Sequence, residues 1–262
     1  MRYLLTKSII VLTLTVLLLV CLTSGAWAAM TAKANHDDIQ MNLTYHGSTV
    51  SVSGVTDPGV DLFVKVTSTA KAEEKMMRKD KEAGFLWMNV EQIELNPVPE
   101  VYLIRSTKPP EELLDASQLK AESLGYAGLE ENIEISPQPS PEQRKSLLGD
   151  FIKYKESLGV YSQSVGGIEI NPDPSGQQTY HTIFDWPYQA PPGDYVATAY
   201  AVKNGKIVDK ADCKITVEET GAVKTLDDMA QNNAALYGTL AIGVSLTAGF
   251  GVGLVFKGGG SH

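Results

Sequence analysis

The sequence predicts a mainly β protein, with immunoglobulin-like β-sandwich portions, an α-helical insertion and one C-terminal transmembrane helix. Three observations lead to this fold class. Short runs of alternating apolar and polar residues recur between turn residues, as in sheets with one buried face. Two helix-start patterns lie in the middle of the chain. The run from Ala234 to Phe256 contains no charged residue.

The first element is a secretory signal peptide over residues 1–28. Arg2 and Lys7 precede an uncharged apolar stretch, and Ala26 and Ala28 then form an A-x-A cleavage site. We therefore expect cleavage after Ala28 and export of the remaining chain.

Residues 29–107 are expected to form the N-terminal β-sandwich portion. Val50 and Val52 alternate with serines, and a second alternating run covers 62–67. Gly54 and the turn at 57–59 interrupt the two runs.

A charged stretch, Lys71–Glu82, follows within the same portion. Its composition is compatible with either a polar hairpin or the solvated face of a helix. Two further strand candidates, 85–90 and 101–104, lie on either side of Pro97 and Pro99.

Residues 108–159 are expected to form the helical insertion or bridge. Pro109 and Pro110 are followed by two glutamates, which favours a helix start. Ser140 precedes proline and is followed three residues later by Gln143, the pattern of a capping box. Asn132–Ile135 is a strand candidate between the two helical pieces. The apolar face expected for the second helix consists of Leu147, Leu148, Phe151, Tyr154 and Leu158, with Gly159 as its stop.

Residues 160–220 are expected to form the C-terminal β-sandwich portion. Asn204-Gly205 separates two alternating runs and predicts a type I′ hairpin. Cys213 lies on the apolar side of the second run, where we expect a buried, inert thiol. Because Cys21 belongs to the signal peptide, the mature chain has no internal disulfide. The strands alone leave open whether the protein has one sandwich or two.

A juxtamembrane linker at 221–233, a transmembrane helix at 234–256 and a cytoplasmic tail at 257–262 complete the chain. The helix is long enough to cross a bilayer, and Lys257 after it gives the positive-inside orientation. Small residues recur every four positions along it, which favours a helix-packing surface. These residues, called the small-residue ridge below, are Ala241, Ser245, Gly249 and Gly253.

The net charge of the chain excludes several classes of partner. The sequence has 31 acidic against 22 basic residues, a formal net charge of −9, so neither nucleic acid nor an anionic lipid surface is expected to bind. Phosphate-loop, zinc and nucleophile-elbow motifs do not occur in it, so we expect no cofactor.

Two further groups of side chains could suggest a catalytic or a metal site, but we expect them to have only a structural role. Thr179, Thr182, His181 and Asp185 are close in sequence, but we expect no enzyme and no catalytic residues. Thioether and imidazole side chains are suitable copper ligands, but the candidate residues are irregularly spaced, so we expect no metal site. These candidates are His36, His46, Met76, Met77 and Met88.

Several short segments in a fixed order resemble a known family. The segments are Arg78-Lys79, Gly84–Asn89, Pro99–Tyr102 with Ser106, Tyr161, Pro187, Pro192–Tyr195, Asn204-Gly205 and Leu236–Gly238. In their order and spacing, they are similar to a bacterial transmembrane protein family first defined in alphaproteobacteria. The chain departs from its pattern in the Lys- and Met-rich segment 71–80 and in the glycine-rich tail.

The resemblance implies a signal peptide, an extracytoplasmic β-rich region and one C-terminal span. It also implies an accessory role, because the family's genes often lie beside a sulfite-exporter-like permease. It assigns no catalytic residues. We expect a non-enzymatic accessory or interaction subunit in the bacterial inner membrane, with its main domain in the periplasm. Its partner would be a membrane permease or a second copy, bound through the span. The alternative is a periplasmic ligand-binding or sensing module, which an apolar pocket near Trp87 or Trp186 would favour.

Overall fold

A computed structural model describes residues 29–82, 86–174 and 176–257. The structure is mixed but mainly β, with three sheets, one of them a half-barrel, several helices and one apolar C-terminal helix. The expected cleavage residues Ala26 and Ala28 lie outside the described residues.

The described residues form strands and helices in the following order, and the expected juxtamembrane linker at 221–233 is largely helical. The strands are β1 (Lys33–Asn35), β2 (Asp38–Met41), β3 (Ser48–Thr56), β4 (Asp61–Ser68), β5 (Lys71–Glu82), β6 (Leu86–Pro99), β7 (Tyr102–Ser106), β8 (Glu134–Ser136), β9 (Tyr161–Val165), β10 (Ile168–Pro172), β11 (Gln178–Trp186), β12 (Gly193–Lys203) and β13 (Lys206–Glu219). The helices are α1 (Pro110–Leu113), α2 (Ala116–Glu122), α3 (Gly125–Glu130), α4 (Pro141–Ser157), α5 (Gly221–Asn232) and α6 (Ala234–Lys257).

The two β-rich portions of the chain share two sheets. A four-stranded antiparallel sheet has the order β1-β3-β11-β10, and a six-stranded sheet has the order β2-β13-β12-β4-β7-β9. The six-stranded sheet is antiparallel except for the outer pairs β2/β13 and β7/β9. Each sheet takes strands from both sides of the helical insertion, so neither portion can complete a sheet without the other.

Side chains of the four-stranded sheet pack directly against the six-stranded sheet. Trp186 on β11 meets Tyr195 on β12 edge-on, with ring centroids 4.9 Å apart. On the same strand β11, the centre of the Phe184 ring lies 5.6 Å from the guanidinium of Arg105, which belongs to β7 of the six-stranded sheet. Both sheets contribute to one continuous hydrophobic core.

The centre of the six-stranded sheet is buried on both faces, as β4 shows. Leu62, Val64 and Val66 lie on one face, and Phe63 and Lys65 are buried on the opposite face. The helical insertion covers this second face. The Tyr102 hydroxyl, for example, donates hydrogen bonds to the carbonyl oxygens of Ser123 and Gly125.

Helix α4 begins with the expected capping box. The Ser140 hydroxyl accepts from the Gln143 backbone N–H, while the Gln143 side chain accepts from the Ser140 N–H. The expected apolar face is wrong in part, because Tyr154 is exposed. The buried residues of this helix are Leu148, Phe151, Ile152 and Lys155.

The charged stretch Lys71–Glu82 is the polar hairpin rather than a helix. It forms β5, which pairs with β6, and β8 adds a third strand near the base of this hairpin. The Lys155 ammonium on α4 lies 2.8 Å from the Glu74 carboxylate on β5. This ion pair explains why a lysine is buried on that helix.

Two turn predictions have different outcomes. Asn204 and Gly205 have φ angles of 52° and 74°, as a type I′ hairpin requires. Gly54, in contrast, does not end a strand but lies within β3. A Cβ atom at position 54 would lie 1.8 Å from the Thr31 carbonyl oxygen, so glycine is needed there for close backbone approach.

We predict that Gly54→Ala lowers the free energy of unfolding by about 2–3 kcal/mol, because the Thr31 backbone must move away. Gly149→Ala is the matched control. Gly149 lies on α4, and a Cβ atom added there would meet no atom within 4 Å. Because alanine has a higher helix propensity than glycine, this substitution should stabilise the protein by about 0.5–1 kcal/mol. Urea unfolding followed by circular dichroism measures both; equal effects of the two substitutions would contradict the close-approach argument.

We also predict that a segment covering residues 29–225 folds alone and unfolds at the same temperature with and without reductant. Cys213 is the free cysteine of the described chain, and the core is supplied by the sheets and the insertion. Calorimetry with and without dithiothreitol measures this. A large drop in the unfolding temperature in reductant would reveal an intermolecular disulfide.

Candidate functional site

Helix α6 presents an apolar surface that no other part of the described chain covers. The stretch Ala234–Leu254 is long and apolar enough to cross a membrane, and none of it is buried. Its large exposed side chains include Leu240, Ile242, Leu246 and Phe250. Exposing so much contiguous apolar surface to water is unfavourable, so this helix requires an apolar environment.

The hydroxyl groups on α6 are satisfied within the helix. Thr239, Ser245 and Thr247 each donate to the carbonyl oxygen four residues earlier, at 2.8–2.9 Å. A hydroxyl without a hydrogen-bond partner is unfavourable in lipid. Because these hydroxyls bond within α6, they need no partner helix to satisfy them.

The small-residue ridge lies along this helix. The Ser245 hydroxyl bonds to the Ala241 carbonyl oxygen, and the space around Gly249 and Gly253 is open. A neighbouring helix backbone could therefore approach the ridge closely. Its role as a packing surface stays a prediction.

The residues considered for catalysis are not arranged as a nucleophile and base. Thr182 is buried on one face of β11 and donates to the Gly167 carbonyl oxygen. His181 and Asp185 lie on the opposite face, four residues apart, a separation of about 13 Å along a strand. The Thr179 hydroxyl bonds to the Asn171 carbonyl oxygen.

The residues considered for copper binding also lie on different elements. His36 follows β1, and His46 lies in the loop before β3, whereas Met76 and Met77 point to opposite faces of β5. Met88 is an exposed residue of β6. Among the described residues, no three His, Cys, Asp or Glu side chains form a metal-binding group.

Trp186 lies in the hydrophobic core and not at an exposed surface. Its side chain is only 3% exposed and packs against Tyr195 in the core. The side chain of Trp87 lies outside the described residues.

Cys213 is half-buried on β13, and so is less deeply buried than the alternating pattern predicts. Burial raises the pKa of its thiol to about 11. The thiol is therefore protonated and poorly nucleophilic near neutral pH.

A small cavity lies where the six-stranded sheet, the β5–β6 hairpin and the helical insertion meet. Its volume is about 170 Å³. The polar lining comes from Lys65, Thr67, Ser68, Lys71, Tyr102, Ser123 and Asn132, and the apolar lining comes from Pro97, Pro99 and Leu129.

Lys65 carries the least solvated charge in this cavity. Its side chain is 9% exposed, its ammonium donates to the Glu122 carbonyl oxygen, and the nitrogen lies 5.5 Å from the centre of the Tyr200 ring. The pKa of Lys65 is lowered to about 8, mainly by burial; the Glu122 carboxylate opposes this shift, and the charges of Lys210 and Lys71 contribute to it. At neutral pH the ammonium is still mostly charged.

Sequence analysis did not identify this cavity. In the alternating run at 62–67, Lys65 and Thr67 share one side of the strand with Phe63. The phenylalanine in that alternating series was a usable signal, because a large apolar side chain suggests that the second face is covered too. The positions of Ser123 and Asn132 beside β4 depend on tertiary structure.

Comparison with known proteins connects the described architecture to one family. No curated protein matches the chain. Residues 29–258 match the family described as "Putative transmembrane protein (Alph_Pro_TM)", and this region includes all three sheets, the insertion and helix α6. Since the match covers most of the sequence, the chain belongs to this transmembrane protein family.

Proposed function

We propose that this protein is a non-enzymatic, single-pass accessory or interaction subunit of an envelope membrane system, such as a sulfite-exporter-like permease. It is anchored in the bacterial inner membrane by α6, with its sheets and insertion in the periplasm. The observation that carries the proposal is the fully uncovered apolar surface of α6, next to a β-rich region that has its own core.

The expected export of the chain belongs to this proposal. The family match begins at residue 29, the position that follows the expected cleavage after Ala28. Such a boundary is typical of a leader that varies between relatives and is removed from the mature protein.

An immunoglobulin-like sandwich belongs to the proposal as well. The Trp186–Tyr195 contact and the core shared by two sheets support it. The parallel outer pairs, the third sheet and the insertion are additions to that architecture. The insertion at 108–159 then serves the sandwich by covering its second face.

Association through the small-residue ridge is the interaction we propose for the anchor. Lipid provides no hydrophobic gain when helices meet, so close backbone approach decides whether they associate. Open space at Gly249 and Gly253 supports this interaction. The partner is a membrane permease or a second copy of the chain.

We predict that the end of α6 faces the cytoplasm. Asp227 and Asp228 precede the span, and Lys257 follows it, which fits the positive-inside tendency. Alkaline phosphatase fused after Phe256 should be inactive, whereas the same reporter fused after Thr225 should be active. Activity at both positions would contradict a spanning helix and show that the whole chain is exported.

We predict that the Gly249→Leu/Gly253→Leu variant inserts normally. The amount of membrane partner that co-purifies with it, or the amount of self-associated protein, should fall at least about tenfold. Leucine keeps the span apolar but separates the two backbones.

The Gly243→Leu/Gly251→Leu variant is the matched control. At about 100° per residue, these glycines lie on the opposite side of the helix, and their substitution should change association little. Quantitative cross-linking in membranes measures both variants. Equal association in both variants would place the partner contact outside the ridge.

A further inference from the structure

The cavity beside Lys65 concentrates positive charge without a lining carboxylate. Lys65 and Lys71 both line it, and the charge of Lys71 contributes to the lowered pKa of Lys65. All of its other described lining residues are uncharged. Two ammonium groups facing one small volume favour a negatively charged occupant.

The Glu122 carboxylate, which favours the charged form of Lys65, already has two other hydrogen-bond donors. The Glu122 carboxylate accepts from the Tyr200 hydroxyl at 3.1 Å and from the Lys210 ammonium at 3.2 Å. Lys65 itself bonds to the Glu122 backbone carbonyl, not to this carboxylate. Within the described chain, the buried ammonium thus has one hydrogen-bond acceptor for three N–H donors.

Neutral donors line the same cavity. In the part of the chain that the structure describes, the Thr67 hydroxyl has no hydrogen-bond partner. The Ser68 hydroxyl accepts from the Glu100 backbone N–H, which leaves its own proton free to donate. Together with the two lysines, these groups match the oxygen atoms of an oxyanion.

The size of the cavity restricts the ligand. A single water needs roughly 10–15 Å³, and pockets for drug-sized molecules begin at about 300 Å³. The volume of about 170 Å³ therefore suits a small ion or metabolite and excludes a nucleotide.

We propose that this cavity is a binding site for a small oxyanion, held by the Lys65 and Lys71 ammonium groups and the Thr67 and Ser68 hydroxyls. The shared chemistry is a compact group of negatively charged oxygens, either tetrahedral or carboxylate. This site goes beyond the anchoring function proposed above, because it lies in the β-rich region and requires neither the span nor its partner.

Binding should weaken as the pH rises through about 8, because Lys65 then loses its proton. The groups that act on its charge are Glu122, Asp212, Lys71 and Lys210, and Tyr200 packs against it. A bound anion favours the charged ammonium, so the decline in affinity should begin near the pKa of the free protein and level off near the higher pKa of the complex.

Isothermal titration of the full chain in uncharged detergent, with sulfate, phosphate or acetate, tests the proposal. Chloride at matched ionic strength is the blank. We expect saturable binding of at least one oxyanion at pH 7; stronger binding of sulfate and phosphate than of acetate would identify a tetrahedral ligand, and the reverse order a carboxylate. Binding of none of the three would overturn the proposal.

Lys71→Met is the decisive variant, because Lys71 is exposed and its loss should not impair folding. It should weaken binding at least tenfold. Lys33→Met removes the same charge from an exposed residue of the other sheet and should leave the dissociation constant unchanged. Lys65→Met should abolish binding if it folds. Equal affinities of Lys71→Met and Lys33→Met would show that the ion binds elsewhere and overturn the site.

Discussion

Coverage of both faces of the six-stranded sheet is the constraint on which the rest of this structure depends. Strand β4 buries Leu62, Val64 and Val66 on one side and Phe63 on the other, so neither face can be left to water. The four-stranded sheet covers the first face, and the helical insertion covers the second. This requirement explains why strands from both sides of the insertion share the same sheets.

The buried lysines are consequences of the same constraint. Lys155 lies under the β5–β6 hairpin and is paired with Glu74, so its charge is compensated. Lys65 lies under the insertion and reaches only a backbone carbonyl. A buried cation that donates to no carboxylate lowers the stability of the fold. Its presence at the edge of a cavity therefore supports a role in binding a ligand there. The anchor, in contrast, has its hydrogen bonds satisfied internally and can reside in lipid independently of the sheets.

Local patterns in the sequence were sufficient for most individual elements. The capping box of α4, the Asn204-Gly205 hairpin and the apolar run of α6 were predictable because each depends on neighbours within a few residues. Errors arose where a distant segment decides the outcome. Gly54 looks like a strand break but accommodates the backbone at Thr31, and the buried face of α4 includes Lys155 because Glu74 lies opposite.

The sequence by itself determined that the fold is mainly β with helices in the middle of the chain, and that one long apolar helix lies near the C-terminus. Periodicity, caps and turn residues report local backbone preference and which faces are apolar. Only the tertiary structure decided that the two β-rich portions share their sheets, that the helices cover a second face and that Lys65 borders a cavity. Pairing between strands far apart in the chain depends on which apolar surfaces cover one another. Alternation within one strand carries no information about that partner.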